Sequence, residues 1–315
     1  MTSKINSPYI SIVIPVYNSA ACLFELHKRL VLNLKKISTK YEIIFIDDAS
    51  SDASSEIIFE LSRIYKNVKC IQFTRNFGQH YAITAGLDYS SGNWVVVMDC
   101  DLQDRPEDII KLYKKAISGY EVVSARRLNR KDTFIKRTLS IIFYKIFSYL
   151  ADIKYDGNIG NFRILSRRVV NNISKMRERL RFFGGLLDWL SFPSAFIDVQ
   201  HSERFSGKST YNFRKLWKLA SETIIAYSDK PLRIAIKLGF VISFIAFIVG
   251  LYFLAKTMIY GSKISGWASL IISFYLIGGI VILILGIIGL YLGKNYEESK
   301  ERPLYVVRKS TFDHD

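Results

Sequence analysis

The chain has 315 residues, half of them hydrophobic, and its 44 lysine and arginine residues against 28 acidic ones give a formal net charge of +16. This length allows one large α/β domain together with a second, smaller part. The three cysteines, Cys22, Cys70 and Cys100, show neither a disulfide framework nor the spacing of a zinc site, which indicates reduced thiols in the cytoplasm.

The first 125 residues alternate strands with helices. Short apolar, β-branched runs predict strands at 9–15, 41–46, 68–73, 94–98 and 121–125. Apolar residues at helical spacing predict helices at 20–37, around 57–61, at 78–89 and at 106–117. This order predicts an α/β fold with a mostly parallel, doubly wound sheet, in which ligands bind beyond the carboxyl ends of the strands.

Polar residues follow three of these predicted strands. Tyr17-Asn18, Asp47-Asp48 and Asp99-Cys100-Asp101 occupy the three strand ends. Because side chains alternate along a strand, Asp99 and Asp101 lie on the same side. Two carboxylates in this position predict a site for a hard divalent cation, to which Gln103 adds a neutral oxygen and Asp104 a nearby carboxylate.

The last third of the chain is apolar. No charged residue occurs at 238–254 or at 264–293, and a bilayer core needs about 20 helical residues. We therefore predict two transmembrane helices within 231–293, preceded by an α/β domain at 1–130 and a segment with amphipathic stretches at 131–230, and followed by a tail at 294–315. Lysine and arginine flank the outer ends of the hairpin, which predicts that both termini and the large domain face the cytoplasm.

The positive charge is concentrated beside the apolar segment. Basic residues cluster at 126–145 and 203–218, among aromatic and aliphatic side chains. Such amphipathic stretches, at 134–150 and 212–227, are typical of interfacial helices on anionic lipid. Binding to nucleic acid is a less favoured hypothesis, because the basic residues lie next to the predicted membrane segments.

Six motifs occur in a characteristic order: SIVIPVYN at 11–18, IDDASSDAS at 46–54, RNFG at 75–78, MDCDLQDRPE at 98–107, SARR at 124–127 and NFRILSR at 161–167. With the two apolar spans, they resemble the family 2 glycosyltransferases that load a sugar onto a polyprenyl phosphate. This group includes the dolichyl-phosphate mannose synthases and the bacterial undecaprenyl-phosphate glycosyltransferases, and the paired spans look more like the bacterial branch. The resemblance implies a GT-A, Rossmann-like fold.

The resemblance also implies the roles of individual residues. The nucleotide pocket would be lined by Pro15, Tyr17, Asn18, Asp47, Asp48, Arg75, Asp99 and Cys100. Mg²⁺ or Mn²⁺ would be held by Asp99, Asp101 and Gln103. Catalysis would involve Asp101, Arg126, Arg163 and, as a reserve base, Asp104. Structural roles remain open: the paired aspartates at 47 and 48 could cap a helix, Pro15 could end a strand, and Arg75 could pair with a carboxylate.

The chain departs from the family pattern at three places. Ser19 stands where many relatives have glutamate, and Gln79-His80 follows RNFG where relatives often continue with lysine. We expect His80 to lie on a helix surface. Asn161 replaces the aspartate of G-D-F-R, which is a candidate base in bacterial relatives.

The expected reaction is transfer of a sugar, with inversion, from a nucleotide sugar (UDP favoured over GDP) to undecaprenyl phosphate. It would occur at the cytoplasmic face of a bacterial inner membrane, for a cell-envelope polysaccharide such as lipopolysaccharide. The acceptor phosphate is anionic near neutral pH, so a general base is dispensable. Weaker alternatives are a processive polysaccharide synthase and a catalytically silent lipid-binding scaffold. Self-association through the glycines of the second span stays open.

Overall fold

The computed structural model describes residues 9–128, 149–150, 159–200, 224, 228–260 and 266–312. The chain divides into two compact units. The first comprises Met1–Tyr144, Lys154–Asn212 and Arg302–Asp315, and the second comprises Lys145–Ile153 and Phe213–Glu301. The predicted interfacial stretches at 134–150 and 212–227 lie outside the described residues, apart from 149–150 and 224.

The first unit is built on an eight-stranded sheet. In chain order its strands are β1 (Ile10–Val16), β2 (Tyr41–Asp47), β3 (Val68–Phe73), β4 (Trp94–Val97), β5 (Val122–Leu128), β6 (Ile159–Ser166), β7 (Ser194–Gln200) and β8 (Val307–Ser310). Their order across the sheet is β7-β5-β6-β4-β1-β2-β3-β8.

Six of these strands run in one direction. β1 is parallel to β2 and β4, β2 is parallel to β3, and β5 is parallel to β7. β6 is antiparallel to β4 and β5, and β8 is antiparallel to β3. The predicted mostly parallel sheet is confirmed, with two reversed strands that the sequence did not reveal. Because β6 is reversed, its first residues lie at the edge where β4 and β5 end.

Helices cover both faces of the sheet. In chain order they are α1 (Ala20–Leu34), α2 (Ser54–Ile64), α3 (Gln79–Tyr89), α4 (Ile109–Ala116), α5 (Arg167–Ile173) and α6 (Phe183–Leu190), with a 3-10 turn at Pro106–Asp108 before α4. The predicted helix at 20–37 ends three residues early, at Leu34.

Alternating side chains of the central strands fill two apolar cores. Ile12 and Phe45 lie in the core that α1, α2 and α4 cover. Their chain neighbours Val13 and Ile44 lie in the core that α3, α5 and α6 cover. A strand buried on both faces explains the continuous apolar runs of the sequence.

The C-terminal segment contains an element that the sequence did not predict. Residues 294–315 were expected to be a simple tail, but β8 pairs with β3, and the backbone N–H of Thr311 donates to the carbonyl of Cys70 at 3.0 Å. Arg302–Asp315 therefore belongs to the same unit as the sheet.

The second unit contains two long helices, α7 (Lys230–Tyr260) and α8 (Trp267–Ser299). Each is long and apolar enough to cross a membrane, over Lys230–Val249 with a mean hydropathy of 2.3 and over Ser273–Ser299 with 2.6. Large apolar side chains such as Phe240 and Phe274 are about three-quarters exposed, at 74% and 75%. A helix in the core of a soluble protein would bury such side chains.

Candidate active site

Strand β4 runs directly into the acidic segment. Asp99 and Asp101 are partly exposed, whereas the side chain of Cys100 between them is 8% exposed and packs in the apolar core. Strand β4 ends at Val97, so the alternation of a strand does not extend to these residues, and a shared side for the two carboxylates stays a prediction. The thiol of Cys100 packs in the core, and the nucleotide contact expected of this residue stays a prediction.

Two neutral amides contact Asp99. Its Oδ1 accepts a hydrogen bond from Nε2 of Gln79 at 2.6 Å. Its carboxyl is also hydrogen-bonded to the side chain of Asn161. The two sequence departures, Gln79 after RNFG and Asn161 in place of aspartate, therefore meet at the same carboxyl group.

Asp104 lies under the acidic segment and anchors it. It is 3% exposed. Its Oδ2 accepts from the backbone N–H of Asp99 at 3.4 Å, and its Oδ1 lies 3.3 Å from Nη2 of Arg127. Burial raises the pKa of Asp104, and the charge of Arg127 opposes that shift. These contacts give Asp104 a structural role, and its role as a reserve base stays a prediction.

The carboxyls of this segment repel one another. Burial, and then the charges of Asp104 and Asp101, raise the pKa of Asp99 to about 7, which Arg127 only partly offsets. A cation among these oxygens would relieve the repulsion and favour the ionised form. The local electrostatics therefore fit a bound divalent cation.

Asn161 reaches Asp99 because strand β6 is irregular. Ser124 pairs with Arg163, but the next pair is Arg126 with Ile159, so two residues of β5 span four residues of β6. Such a bulge re-aims the side chains it contains and is frequent beside active sites. The bulge includes Asn161.

The two arginines at the end of β5 point to different partners. Nε of Arg126 lies 2.7 Å from Oδ1 of Asp198 on β7, in a pair whose side chains are 45% and 42% exposed. Arg127 is the arginine that pairs with Asp104, and a Cβ on Gly160 would lie 3.0 Å from its Nη2. The family resemblance implied a catalytic role for Arg126, whereas Arg127 is the arginine that lies beside the acidic segment in the structure.

The aspartates at the end of β2 hold neighbouring loops. Both are buried, and Oδ2 of Asp47 accepts from Nε2 of Gln72 at 3.2 Å. The two carboxylate oxygens of Asp48 accept from the backbone N–H groups of Phe77 and Gly78 at 2.7 and 2.8 Å. Burial raises the pKa of Asp48, and these two hydrogen bonds counteract the shift. Asp48 thus fixes the RNFG loop, and Gly78 adopts a φ of 108° that favours glycine.

The end of β1 carries three of the predicted nucleotide contacts. Pro15 is buried inside the strand, so it does not end it, and Tyr17 is 51% exposed at the rim. Asn18 has a positive φ of 48°, and its Oδ1 accepts from the backbone N–H of Ser51 at 2.8 Å. Tyr17 and Asn18 are both exposed at this strand end, whereas Pro15 is buried.

The predicted contact Arg75 is exposed on the RNFG loop. Its guanidinium lies 4.3 Å from the centre of the Phe77 ring, and its charge acts on Asp48. The ring contact is a cation–π pair. The described contacts thus show a cation–π pair instead of the ion pair that was left open as a structural role, and the nucleotide contact of Arg75 stays a prediction.

Arg163 lies on a second, basic side of the site. It is 8% exposed, its Nε donates to the carbonyl of Gly160 at 3.2 Å, and its guanidinium lies 5.8 Å from the Phe183 ring. Burial, and then the charges of Arg181 and Arg163, lower the pKa of His80 to about 4. His80 packs against Phe182 rather than on the helix surface that we expected, with ring centres 5.9 Å apart.

The described part of the chain offers an incomplete set of metal ligands. Among the described residues, no three histidine, cysteine, aspartate or glutamate side chains are arranged to hold an ion by themselves. Asp99, Asp101 and Gln103 would supply part of a coordination shell. Mg²⁺ commonly completes such a shell with water and substrate phosphates.

The fold and the acidic strand end match a known family. Residues 11–174 match the family model described as glycosyl transferase family 2. The chain belongs to glycosyl transferase family 2. It is a glycosyltransferase with a GT-A fold.

Curated relatives match along nearly the whole chain. An uncharacterized glycosyltransferase of Bacillus subtilis (strain 168) is 41% identical over 95% of this chain and 93% of its own length. A bactoprenol glucosyl transferase of Shigella phage SfII is 36% identical over 96% of this chain and 98% of its own length. Both alignments extend through the region of the two apolar helices.

A more distant likeness exists among solved structures. Glucosyl-3-phosphoglycerate synthase from Mycobacterium tuberculosis, in complex with Mn²⁺, UDP and glucosyl-3-phosphoglycerate, is 16% identical, with a TM-score of 0.49. The match covers 70% of this chain and 78% of that chain. A likeness of this degree carries no argument about ligands.

Three residues at the site were missed by the sequence analysis or given another role: Arg127, Gln79 and Asn161. The doubled arginine of SARR was visible, but which of the two lies beside Asp104 depends on tertiary packing, which the sequence does not contain. For Gln79 and Asn161, the signal in the sequence was that both residues depart from the family pattern.

Proposed function

We propose that this glycosyltransferase moves a sugar from a nucleotide diphosphate sugar, with UDP as the nucleotide, to undecaprenyl phosphate. The observation that carries the proposal is the similarity to bactoprenol glucosyl transferase, which covers 96% of this chain, including both apolar helices. A lipid acceptor would explain why the chain has those helices, because undecaprenyl phosphate is confined to the bilayer.

The donor would bind at the rim formed by the ends of β1, β2 and β4. Tyr17 would contact the nucleotide, while Asp47 and Asp48 would hold the loops around it. Asp99, Asp101 and Gln103 would hold Mg²⁺ or Mn²⁺ together with diphosphate oxygens. Such an ion neutralises the charge that develops on the departing diphosphate.

The acceptor would approach from the basic side. The guanidinium of Arg163 would attract its phosphate and offset the repulsion between two anionic substrates. A phosphate oxygen forms the new bond to C1 of the sugar while the bond from C1 to the diphosphate oxygen breaks. The nucleophile needs no base, because a phosphate monoester has a second pKa of about 6. Asn161, whose amide cannot accept a proton, fits this single displacement with inversion.

The chain would be anchored as a hairpin. We propose that the segments at 1–130 and 131–230 and the tail at 294–315 lie on the cytoplasmic side, and that 231–293 crosses the inner membrane twice. The basic residues at the outer ends of the hairpin, among them Arg233, Lys237 and Lys294, support this orientation.

A transfer assay tests the proposal. The purified protein in detergent would receive undecaprenyl phosphate, Mn²⁺ or Mg²⁺, and radiolabelled UDP- and GDP-sugars one at a time. We expect one donor to label the lipid, and EDTA to abolish the labelling. Absence of lipid labelling with every donor, despite a folded protein, would contradict the proposed acceptor.

A further inference from the structure

The chain that follows helix α8 returns to the first unit and packs beside the site. Strand β8 lies at the edge of the sheet, where Phe73 pairs with Val307. Leu304, at the start of this segment, is 7% exposed. We call residues 302–312 the C-terminal brace.

The brace contacts the RNFG loop. The backbone N–H of Thr74 donates to the carbonyl of Val306 at 3.0 Å. The Tyr305 ring stacks on Phe73, with centres 5.3 Å apart, and Phe73 contacts Phe77 edge-on at 5.5 Å. Phe77 is the residue whose N–H binds Asp48. The brace therefore supports the back of the loop that leads into α3.

The brace also reaches a second segment through one carboxylate. The Tyr305 hydroxyl donates to Oδ2 of Asp88 at 2.8 Å, near the end of α3. The same oxygen accepts from Nη1 of Arg177 at 2.8 Å. Burial and the charge of Asp88 raise the pKa of Tyr305 far above the usual value, so the hydroxyl keeps its proton. Hydrogen bonds to an ionised partner are the stronger ones.

Residues 177–182 run alongside helix α3, from the last turn of the helix back to its first turn. Arg177 is fixed at Asp88. The Tyr81 hydroxyl then donates to the carbonyl of Arg179 at 2.5 Å, and Phe182 packs on the His80 ring. The far end of this segment thus lies next to the buried guanidiniums of Arg163 and Arg181, whose charges both act on His80.

We propose that Tyr305 and Asp88 are positioning residues for the acceptor side of the site. They fix one end of residues 177–182, whose other end borders the basic side. The ring of Tyr305, which contacts Phe73 and so supports the RNFG loop on the donor side, does not depend on this hydroxyl network. The inference rests on the proposed function, because it assigns the basic side to the lipid phosphate. Loosening the Tyr305–Asp88–Arg177 network should weaken acceptor binding and spare donor binding.

Tyr305→Phe is the sharpest variant, because it removes the hydroxyl and keeps the ring on Phe73. Asp88→Asn is a second variant that weakens both hydrogen bonds. The control is Tyr65→Phe, a half-exposed tyrosine in the same unit whose hydroxyl makes no hydrogen bond among the described residues. For both test variants we expect the KM for undecaprenyl phosphate to rise about threefold to tenfold. The KM for the nucleotide sugar should stay within about twofold.

Hydrogen–deuterium exchange of the same proteins supplies a readout independent of activity. Amides of residues 174–182 should exchange faster in Tyr305→Phe, and those of 94–104 should not change. Unchanged acceptor KM with unchanged exchange would overturn the proposal. Equal increases in both KM values, together with a lower Tm, would also overturn it in favour of a general structural role. If the wild-type protein labels no lipid, the proposed function fails, and the exchange experiment alone decides whether the brace orders residues 177–182.

Discussion

The Nε2 atom of Gln79 lies 2.6 Å from Oδ1 of Asp99, which ties the first turn of α3 to the acidic end of β4. The donor in this contact is a neutral amide. A lysine at this position, as in the resembling RNFGK sequences, would stabilise the ionised carboxyl. With glutamine, burial and the neighbouring carboxyls raise the pKa of Asp99 to about 7.

Metal binding should depend on pH. The pKa of Asp99 is raised to about 7, so its carboxyl is mostly protonated at lower pH. A protonated carboxyl is a poor metal ligand. The affinity for Mn²⁺ in the presence of UDP should therefore be full near pH 8 and fall as the pH drops, by up to about tenfold per unit below pH 7. Isothermal titration between pH 6 and 8 measures this slope.

Gln79→Lys is the matched variant for that titration. The added ammonium should lower the pKa of Asp99, so the fall in Mn²⁺ affinity should move to lower pH. Identical pH profiles in the two proteins would show that Asp99 does not control metal binding.

Arg127 and Arg126 should differ in their effect on stability. Arg127→Ala leaves Asp104, which is 3% exposed, without its ion-pair partner and should lower the free energy of unfolding by about 1–3 kcal/mol. Arg126→Ala removes an exposed pair with Asp198 and should cost no more than about 1 kcal/mol. Urea unfolding of both variants in the same detergent makes the comparison.

The same two variants also test catalysis. The geometry predicts a larger loss of transfer rate for Arg127→Ala, because its partner lies under the metal-binding segment. A larger loss for Arg126→Ala would favour the role that the family resemblance implied, a contact of Arg126 with substrate phosphates.

Asn161→Asp should leave the transfer rate within about tenfold of wild type at saturating Mn²⁺ and pH 8. The acceptor oxygen is already ionised, so a new base adds little. The new carboxylate next to Asp99 should instead raise the pH at which Mn²⁺ binding is lost. A gain in rate of more than about a hundredfold would show that the reaction needs a base.

Cys100→Ala should separate core packing from nucleotide binding. The thiol is 8% exposed in the apolar core, so its loss should destabilise the protein by about 1 kcal/mol. The KM for the nucleotide sugar should not change. A KM that rises several-fold without a change in Tm would restore Cys100 as a nucleotide contact.

The sequence predicted the parts of the fold that depend on local pattern. Apolar runs and helical spacing located β1 to β5 and α1 to α4 within a few residues, and uncharged runs located α7 and α8. It did not predict β8, because four residues with the sequence VRKS form a strand only through pairing with β3. Pairing between distant segments is tertiary information, which propensity does not contain.

The candidate site shows the same division. The sequence located the acidic segment after β4, and both Asp99 and Asp101 are partly exposed there. It could not choose between Arg126 and Arg127, because their partners Asp198 and Asp104 lie in distant parts of the chain. Nor could it show that Asp48 binds the backbone of Phe77 and Gly78, because carboxylates that fix loops and carboxylates that bind ligands look alike in a sequence.

The transfer rate of Asp101→Ala, measured with the nucleotide sugar that the wild-type protein uses and with saturating Mn²⁺, tests the central claim most directly. The claim is that the acidic end of β4 holds the ion that assists departure of the nucleotide. The account predicts a loss of at least about a hundredfold, with an unfolding midpoint close to that of wild type. Lipid labelling at the wild-type rate by the folded variant would contradict it.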